Sequence, residues 1–202
     1  MDNYLRDPSS YRRLIGKLLY LANIRPDLCF SIDLLSQFMQ SPTDYHYRVV
    51  QHVLRYMKSK PSEGLFFSSD SPIHLKAFND SDWETCPNTR RSTTGFCAFL
   101  RSSLVSWKSK KQKTVSRSST EAKYRALAAT TCEIQWIKYL LDDLEVLEAG
   151  TPALYCDNKS ARHIAHNKSF HERAKHIKLD CHVVREKVQA NLLHLLPIRS
   201  DE

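Results

Sequence analysis

Hydrophobic residues recur at helical spacing over roughly the first sixty positions. In SSYRRLIGKLLYLANI, leucines three or four residues apart predict an amphipathic helix, which the Arg-Pro step at Pro26 interrupts. A second helix is predicted from Leu28 to Met39. Ser41 as N-cap and Pro42 at the first helical position predict the start of a third. The apolar face of this third helix is predicted to contain Tyr45, Val49, Val53, Leu54 and Met57.

Beyond Pro61 and Gly64 the pattern changes to short apolar runs separated by polar turns. The runs GLFF, HLKAF, TGFCAFL and SLVSW predict strands. A helix from about Thr120 to Leu141 follows, then a strand at ALYCD, helical stretches over 160–167 and 171–188, and a strand at LLHLLPI. This order predicts an α/β fold, a mixed sheet with helices packed on it. We therefore divide the chain into a helical segment, 1–60, and a sheet domain, 61–202.

Three carboxylates lie at the predicted ends of elements in this second part. Asp80 in AFNDSDW and Asp157 in LYCDN each follow an apolar run, and Glu121 in SRSSTEAKY opens the long helix. Each has a simpler interpretation on its own: Glu121 completes an S-x-x-E capping box, Asp157 suits a strand-end turn, and Asp80 competes with Asp82 as a loop residue. Their conjunction favours a shared site.

Clustered carboxylates on rigid elements can hold two divalent cations, which activate a water and stabilise a leaving oxygen in phosphodiester chemistry. Such carboxylates repel one another unless cations neutralise them. Hard oxygen donors favour Mg²⁺, with Mn²⁺ as the alternative, over Zn²⁺.

The chain carries 30 Lys and Arg against 22 Asp and Glu, a net charge of +8, which suits a nucleic-acid partner. Much of the positive charge is concentrated near the predicted site. For any single lysine, a solvated surface position is the simpler interpretation. For so many together, phosphate contact is as good an explanation. The candidate nucleic-acid-binding residues are Arg90, Arg91, Lys108, Lys110, Lys111, Lys113, Arg117 and Lys175.

Several features bear on the compartment. No apolar run approaches the ~20 residues that a membrane span needs. The first residues, MDNYLRDPSSYRR, contain no apolar signal core, and the six cysteines form no C-x-x-C pair. We expect an intracellular protein, cytoplasmic or nuclear and not secreted, with free thiols and no membrane partner.

Five blocks resemble, in order, the ribonuclease H domain of copia-type long-terminal-repeat retrotransposon Pol polyproteins. They are AFNDSDW, NTRRSTTGFCAFL, SWKSKKQKTVSRSSTEAKYRAL, LYCDNKSARHIAHN and HERAKHIKLDCHVVRE. The upstream block YRRLIGKLLYLANIRPDLCFSIDLLSQFM resembles the C-terminal tail of the same polyprotein's reverse transcriptase.

The resemblance implies a ribonuclease H-like fold, a five-stranded mixed sheet flanked by helices. It implies endonucleolytic hydrolysis of the RNA strand of RNA–DNA hybrids with two Mg²⁺ ions. Asp80, Glu121 and Asp157 match the family's catalytic, metal-binding carboxylates. The remaining Pol polyprotein would be a partner.

The sequence departs from the family pattern in two places. A fourth carboxylate is expected after the last strand, but the sequence stops at Asp201-Glu202, and Asp201 precedes that position. We therefore expect a C-terminally truncated domain with impaired metal binding, and as the alternative function an inactive nucleic-acid-binding remnant. The polymerase motif Y-x-D-D is absent, so no polymerase activity is expected. The apolar face of 1–60 would favour self-association.

Overall fold

The structure, a computed structural model, describes residues 3–69, 72–166 and 177–199. The chain divides into two compact units, Met1–Phe66 and Phe67–Glu202. The division at residue 60 that the sequence suggested, and the identities assigned to the two parts, stay predictions.

The first unit is helical. Its elements are α1 (Pro8–Leu21), a 3₁₀ turn (Pro26–Leu28), α2 (Cys29–Ser36) and α3 (Asp44–Ser59). The apolar faces of these helices meet in one cluster of buried side chains, which is why short helices are stable here. The buried members are Tyr11, Ile15, Leu18, Leu28, Ile32, Leu35, Val50 and Val53.

The predicted start of the third helix is wrong. The α3 helix begins at Asp44, and Thr43 is its N-cap, accepting a hydrogen bond from the backbone N–H of His46. The backbone of Pro42 is used differently, because its carbonyl accepts a hydrogen bond from the N–H of Leu5. The predicted apolar face is also partly wrong, since Tyr45 is half exposed.

The second unit contains a five-stranded mixed sheet in the order β3-β2-β1-β4-β5. The first three strands are antiparallel neighbours, whereas β4 runs parallel to β1 and β5 parallel to β4. The strands are β1 (Leu75–Asp82), β2 (Thr93–Leu100), β3 (Ser103–Lys111), β4 (Ala153–Cys156) and β5 (His194–Pro197). The helices are α4 (Ser119–Asp143), α5 (Lys159–His166) and α6 (Lys178–Gln189). The predicted fold class, a five-stranded mixed sheet with flanking helices after a helical segment, is confirmed.

Alternation along β1 explains how the sheet meets its main helix. Leu75 and Ala77 are buried on one face, whereas Asp80 and Asp82 are exposed on the other. The buried face and its neighbours on β2 and β4 form one core with α4, including the fully buried Leu127. This packing fixes the N-terminus of α4 relative to the strands.

Three strand predictions need correction. The run GLFF forms no strand, and Phe66 and Phe67 are largely exposed. Beyond it, the N–H of Ser68 donates to the Ser103 side chain rather than to a neighbouring strand. Strand β1 continues through Asp80 to Asp82 and β3 continues to Lys111, because antiparallel pairing with β2 extends past the apolar runs.

The predicted helix over 171–188 is found from Lys178 onward, and its earlier part lies outside the described residues. Within the described ranges, no helix is long and apolar enough to cross a membrane.

Candidate active site

Parallel pairing places two of the predicted carboxylates side by side. Asn79 of β1 pairs with Cys156 of β4, so Asp80 and Asp157, the next residues along each strand direction, are neighbours at one end of the sheet. Neighbouring strands lie about 4.8 Å apart. The Asp157 side chain is 21% exposed and that of Asp80 is 64% exposed. Two carboxylates this close need a neutralising group.

That group is an ammonium from α4. Lys123 Nζ lies 3.0 Å from Asp80 Oδ1 and also donates a hydrogen bond to Asp157 Oδ2. Burial of the ammonium lowers the pKa of Lys123, but the hydrogen bonds to Asp157 and Asp80 outweigh it, so the net pKa is raised above its ordinary value. One cation therefore joins β1, β4 and α4.

Glu121 lies in the first turn of α4, and its carboxylate is largely buried. Glu121 Oε2 accepts a hydrogen bond from the backbone N–H of Arg117 at 2.9 Å. Glu121 Oε1 lies 2.9 Å from Nη2 of Arg125, one helical turn later. The backbone N–H of Glu121 donates to the Ser118 hydroxyl, so the predicted N-cap is present. An anionic side chain in this turn also complements the helix dipole.

A buried amide connects the strand of Asp80 to the helix of Glu121. Gln112 follows β3, and its Nε2 donates to the Ala122 carbonyl oxygen at 2.9 Å and to Thr94 Oγ1 at 3.0 Å. The same nitrogen lies 3.4 Å from Ser81 Oγ, and the Ser116 hydroxyl donates to Gln112 Oε1 at 2.9 Å. This network holds β1, β2 and α4 in one arrangement.

The donor set fits a hard divalent cation in part. Asp80 and Asp157 already share a cation, the Lys123 ammonium, and carboxylate oxygens are the ligands that Mg²⁺ and Mn²⁺ prefer. Glu121 is engaged by Arg125 and the Arg117 backbone. Within the described residues, no three acidic, histidine or cysteine side chains form a ready metal-binding group. Metal binding would need side-chain rearrangement.

Several predicted nucleic-acid-binding residues lie around the same end of the sheet. In the β1–β2–β3 register, Asp82, Thr93 and Lys111 share a row. The loop of Arg90 and Arg91 adjoins that row, because Cys86 exchanges backbone hydrogen bonds with both arginines and also contacts Lys111. Lys113 and Arg117 are exposed in the loop between β3 and α4.

The remaining basic candidates have varied surroundings. Lys108 and Lys110 are exposed on β3, the edge strand of the sheet. Arg90 forms an exposed ion pair with Glu84 at 2.9 Å, and such pairs contribute little to stability. The predicted residue Lys175 lies outside the described residues.

Lys111 contacts a cysteine. Its Nζ lies 3.0 Å from Cys86 Sγ, and this hydrogen bond, with further ones involving Thr89, lowers the pKa of Cys86 to about 6. Part of the hydrogen-bonding capacity of the Lys111 ammonium is thus already used by a side chain of the protein itself.

The sequence placed Lys123 and Arg125 in a basic segment but did not identify them as partners of the carboxylates, and it did not identify Gln112 at all. The i, i+4 spacing of Glu121 and Arg125 was a readable signal for an ion pair. Lys123 and Gln112 gave no local signal, because both partners of Lys123, and the Gln112 partners Ser81 and Thr94, are distant in sequence.

An acidic cluster at one end of a mixed sheet, bordered by exposed basic residues, defines a site suited to a phosphate-rich substrate. Comparison with known proteins assigns the family. The chain is 42% identical over 198 residues to the retrovirus-related Pol polyprotein from transposon RE2 of Arabidopsis thaliana, and 40% identical over 198 residues to that from transposon RE1. Each match covers 98% of this chain. The chain belongs to the copia-type retrotransposon Pol polyprotein family.

The chain spans only 14% of the length of these two relatives. No family model matches it. Among solved structures, LC11-RNase H1, isolated from compost, resembles it with 14% identity and a TM-score of 0.47, over 64% of this chain and 86% of that one.

Proposed function

We propose that this chain is a metal-dependent ribonuclease H-type endonuclease that hydrolyses the RNA strand of RNA–DNA hybrids as part of a retrotransposon-derived Pol protein. The observation that carries the proposal is the pair of neighbouring carboxylates, Asp80 and Asp157, already sharing one cation at the end of the sheet. Membership of the Pol family supports it.

In this proposal Asp80, Glu121 and Asp157 hold Mg²⁺ or Mn²⁺. When bound, the metal supplies an activated water and neutralises charge at the scissile phosphate. The protein's own residues position the substrate: exposed lysines and arginines beside the site contact phosphates of the hybrid. The hydrogen bonds of Gln112 hold the strand of Asp80 and the helix of Glu121 in fixed relative positions while the substrate binds.

A second candidate function is that of an inactive nucleic-acid-binding remnant. A specific observation favours it: the space between Asp80 and Asp157 contains the Lys123 ammonium, and Glu121 is engaged by Arg125. This candidate retains the basic surface and predicts salt-sensitive hybrid binding without cleavage.

Cleavage of an end-labelled RNA–DNA hybrid in Mg²⁺ or Mn²⁺ separates the two candidates. We expect RNA-strand cuts by the wild type, no cuts in single-stranded RNA, and loss of cutting in Asp80→Asn and Glu121→Gln. Both variants should remain folded, as judged by far-UV circular dichroism. A folded wild type that binds hybrid and leaves it intact under both metals would make the chain a binding protein.

The helical unit suggests a further partner. It exposes large apolar side chains, among them Tyr20, Ile24, Phe30 and Leu34. We propose that residues 1–60 contact the remaining Pol polyprotein or a second copy of this chain. Concentration-dependent sedimentation of the purified chain tests self-association. We propose that the protein acts in the cytoplasm or the nucleus. Fractionation of expressing cells tests this location.

A further inference from the structure

Lys123 places its ammonium between two carboxylates that would hold a divalent cation. Its ammonium contacts Asp80 and Asp157 at once, and its side chain is only 18% exposed. A long lysine side chain on the surface usually extends into water, because fixing it costs rotamer entropy. Contact with two acidic partners from two strands offsets that cost.

Its neighbour Arg125 makes a simpler contact. Arg125 pairs with Glu121 across one turn of the same helix and also donates a hydrogen bond to Thr114 in the preceding loop, so its partners lie close to it in sequence. The Lys123 contacts instead depend on the parallel register of β1 and β4. They therefore form only when the sheet is assembled, at the point where the two aspartates come together.

An ammonium and a divalent cation compete for these aspartates. Both need the same carboxylate oxygens, and like charges at such short range repel. The four-carbon stem of lysine is flexible, so the ammonium can swing into solvent when another cation arrives. Until a metal ion binds, the ammonium holds in place two carboxylates that would otherwise repel each other.

We infer that Lys123 is a built-in counter-ion of the metal-free site, which stabilises Asp80 and Asp157 without metal and must be displaced when a divalent cation binds. This inference rests on the proposed function, because it takes the two aspartates to be metal ligands. Wild-type metal affinity is accordingly lower than these carboxylates alone would give. The metal-free sheet unit is more stable than it would be without the Lys123 ammonium.

The test compares Lys123→Met with wild type in metal-binding and stability measurements that need no substrate. Methionine keeps a long unbranched chain and removes the charge. Lys138→Met, which removes the same charge further along α4, is the matched control, and Lys123→Gln is a second variant should Met fold poorly. Mn²⁺ affinity is measured by isothermal titration calorimetry and by the electron paramagnetic resonance signal of free Mn²⁺. Thermal midpoints are recorded by tryptophan fluorescence with and without Mn²⁺.

We expect Lys123→Met to bind Mn²⁺ about tenfold or more tightly than wild type, because the competing charge is gone. Without metal its thermal midpoint should fall, and saturating Mn²⁺ should raise it by more than in wild type. Lys138→Met should leave the Mn²⁺ affinity unchanged.

Two failures can be told apart. Equal Mn²⁺ affinity in wild type and Lys123→Met, with binding abolished by Asp80→Asn, would overturn the role of Lys123 and leave the metal site standing. No Mn²⁺ binding by any folded variant would overturn the metal-dependent function itself, and the inference with it.

Discussion

Gln112 and Ala122 are joined by a hydrogen bond of 2.9 Å from the side-chain amide to the backbone carbonyl oxygen. This contact links the end of an edge strand to the first turn of the helix that carries Glu121. Because Gln112 is buried and also contacts Ser81 and Thr94, one side chain fixes three elements around the candidate site. Buried amides with several partners are costly to disrupt.

We predict that Gln112→Ala lowers the free energy of unfolding of the sheet unit by about 2–3 kcal/mol, because it removes several hydrogen bonds and leaves buried partners unsatisfied. Urea unfolding followed by tryptophan fluorescence measures this selectively. All tryptophans, Trp83, Trp107 and Trp136, belong to the unit Phe67–Glu202.

The matched control is Lys113→Ala, the adjacent exposed residue. It should change the unfolding free energy by less than about 0.5 kcal/mol. If both variants unfold at the same urea concentration as wild type, the network around Gln112 does not hold the site together.

The edge strand leads to a second prediction. Lys108 and Lys110 are exposed on β3, and changing both to Ala should weaken hybrid binding about tenfold near 0.1 M salt. Each lost phosphate contact reduces the slope of log affinity against log salt by nearly one, so the slope should fall by about two. Fluorescence anisotropy of a labelled hybrid across a salt series gives both values.

Lysines on an edge strand have another established use, which is to prevent strand-to-strand aggregation. The experiment distinguishes the two roles. If the double variant binds hybrid with the wild-type slope but sediments as aggregates, Lys108 and Lys110 protect the edge and do not contact phosphate. The control is a double Ala variant at Lys17 and Lys58, two exposed helix residues of the other unit.

Local signals in the sequence predicted the long helix well. The expected helix from Thr120 to Leu141 is found as Ser119–Asp143, and Ser118 is its N-cap as the S-x-x-E pattern indicated. The start of this helix and its N-cap could be predicted because they depend on side chains within one helical turn of each other. The third helix shows the limit of the same reasoning. Ser41 and Pro42 predicted its start, but Thr43 is the N-cap, and the carbonyl of Pro42 accepts a hydrogen bond from the N–H of Leu5.

Non-local register was beyond such signals. The proximity of Asp80 and Asp157 follows from the pairing of Asn79 with Cys156, residues that nothing in the sequence pattern aligns. The Lys123 contact depends further on how α4 packs over that pairing. The sequence therefore identified the carboxylates as candidates, whereas their shared counter-ion became visible only in the assembled sheet.

The third prediction concerns the thiol of Cys86. Its hydrogen bond from Lys111 lowers its pKa to about 6, so the thiolate should predominate above pH 6, whereas an ordinary thiol has a pKa near 8.5. Alkylation by iodoacetamide, followed by mass spectrometry of the Cys86 peptide, should show a rate that rises with a midpoint about pH 6. Cys132, whose pKa is raised because its surroundings desolvate the thiolate, should react with a midpoint well above this.

Changing Lys111 to Met should move the Cys86 midpoint upward by at least one pH unit (~1.4 kcal/mol), because the stabilising ammonium is lost. The Cys132 profile in the same sample is the internal control and should not move. Added hybrid should slow Cys86 alkylation, since Lys111 contacts the thiol, Arg91 is hydrogen-bonded to the Cys86 backbone, and both residues belong to the proposed binding surface. Identical pH profiles for Cys86 in wild type and Lys111→Met would rule out the ammonium as the cause. Undiminished alkylation with saturating hybrid would place the nucleic acid elsewhere on the protein.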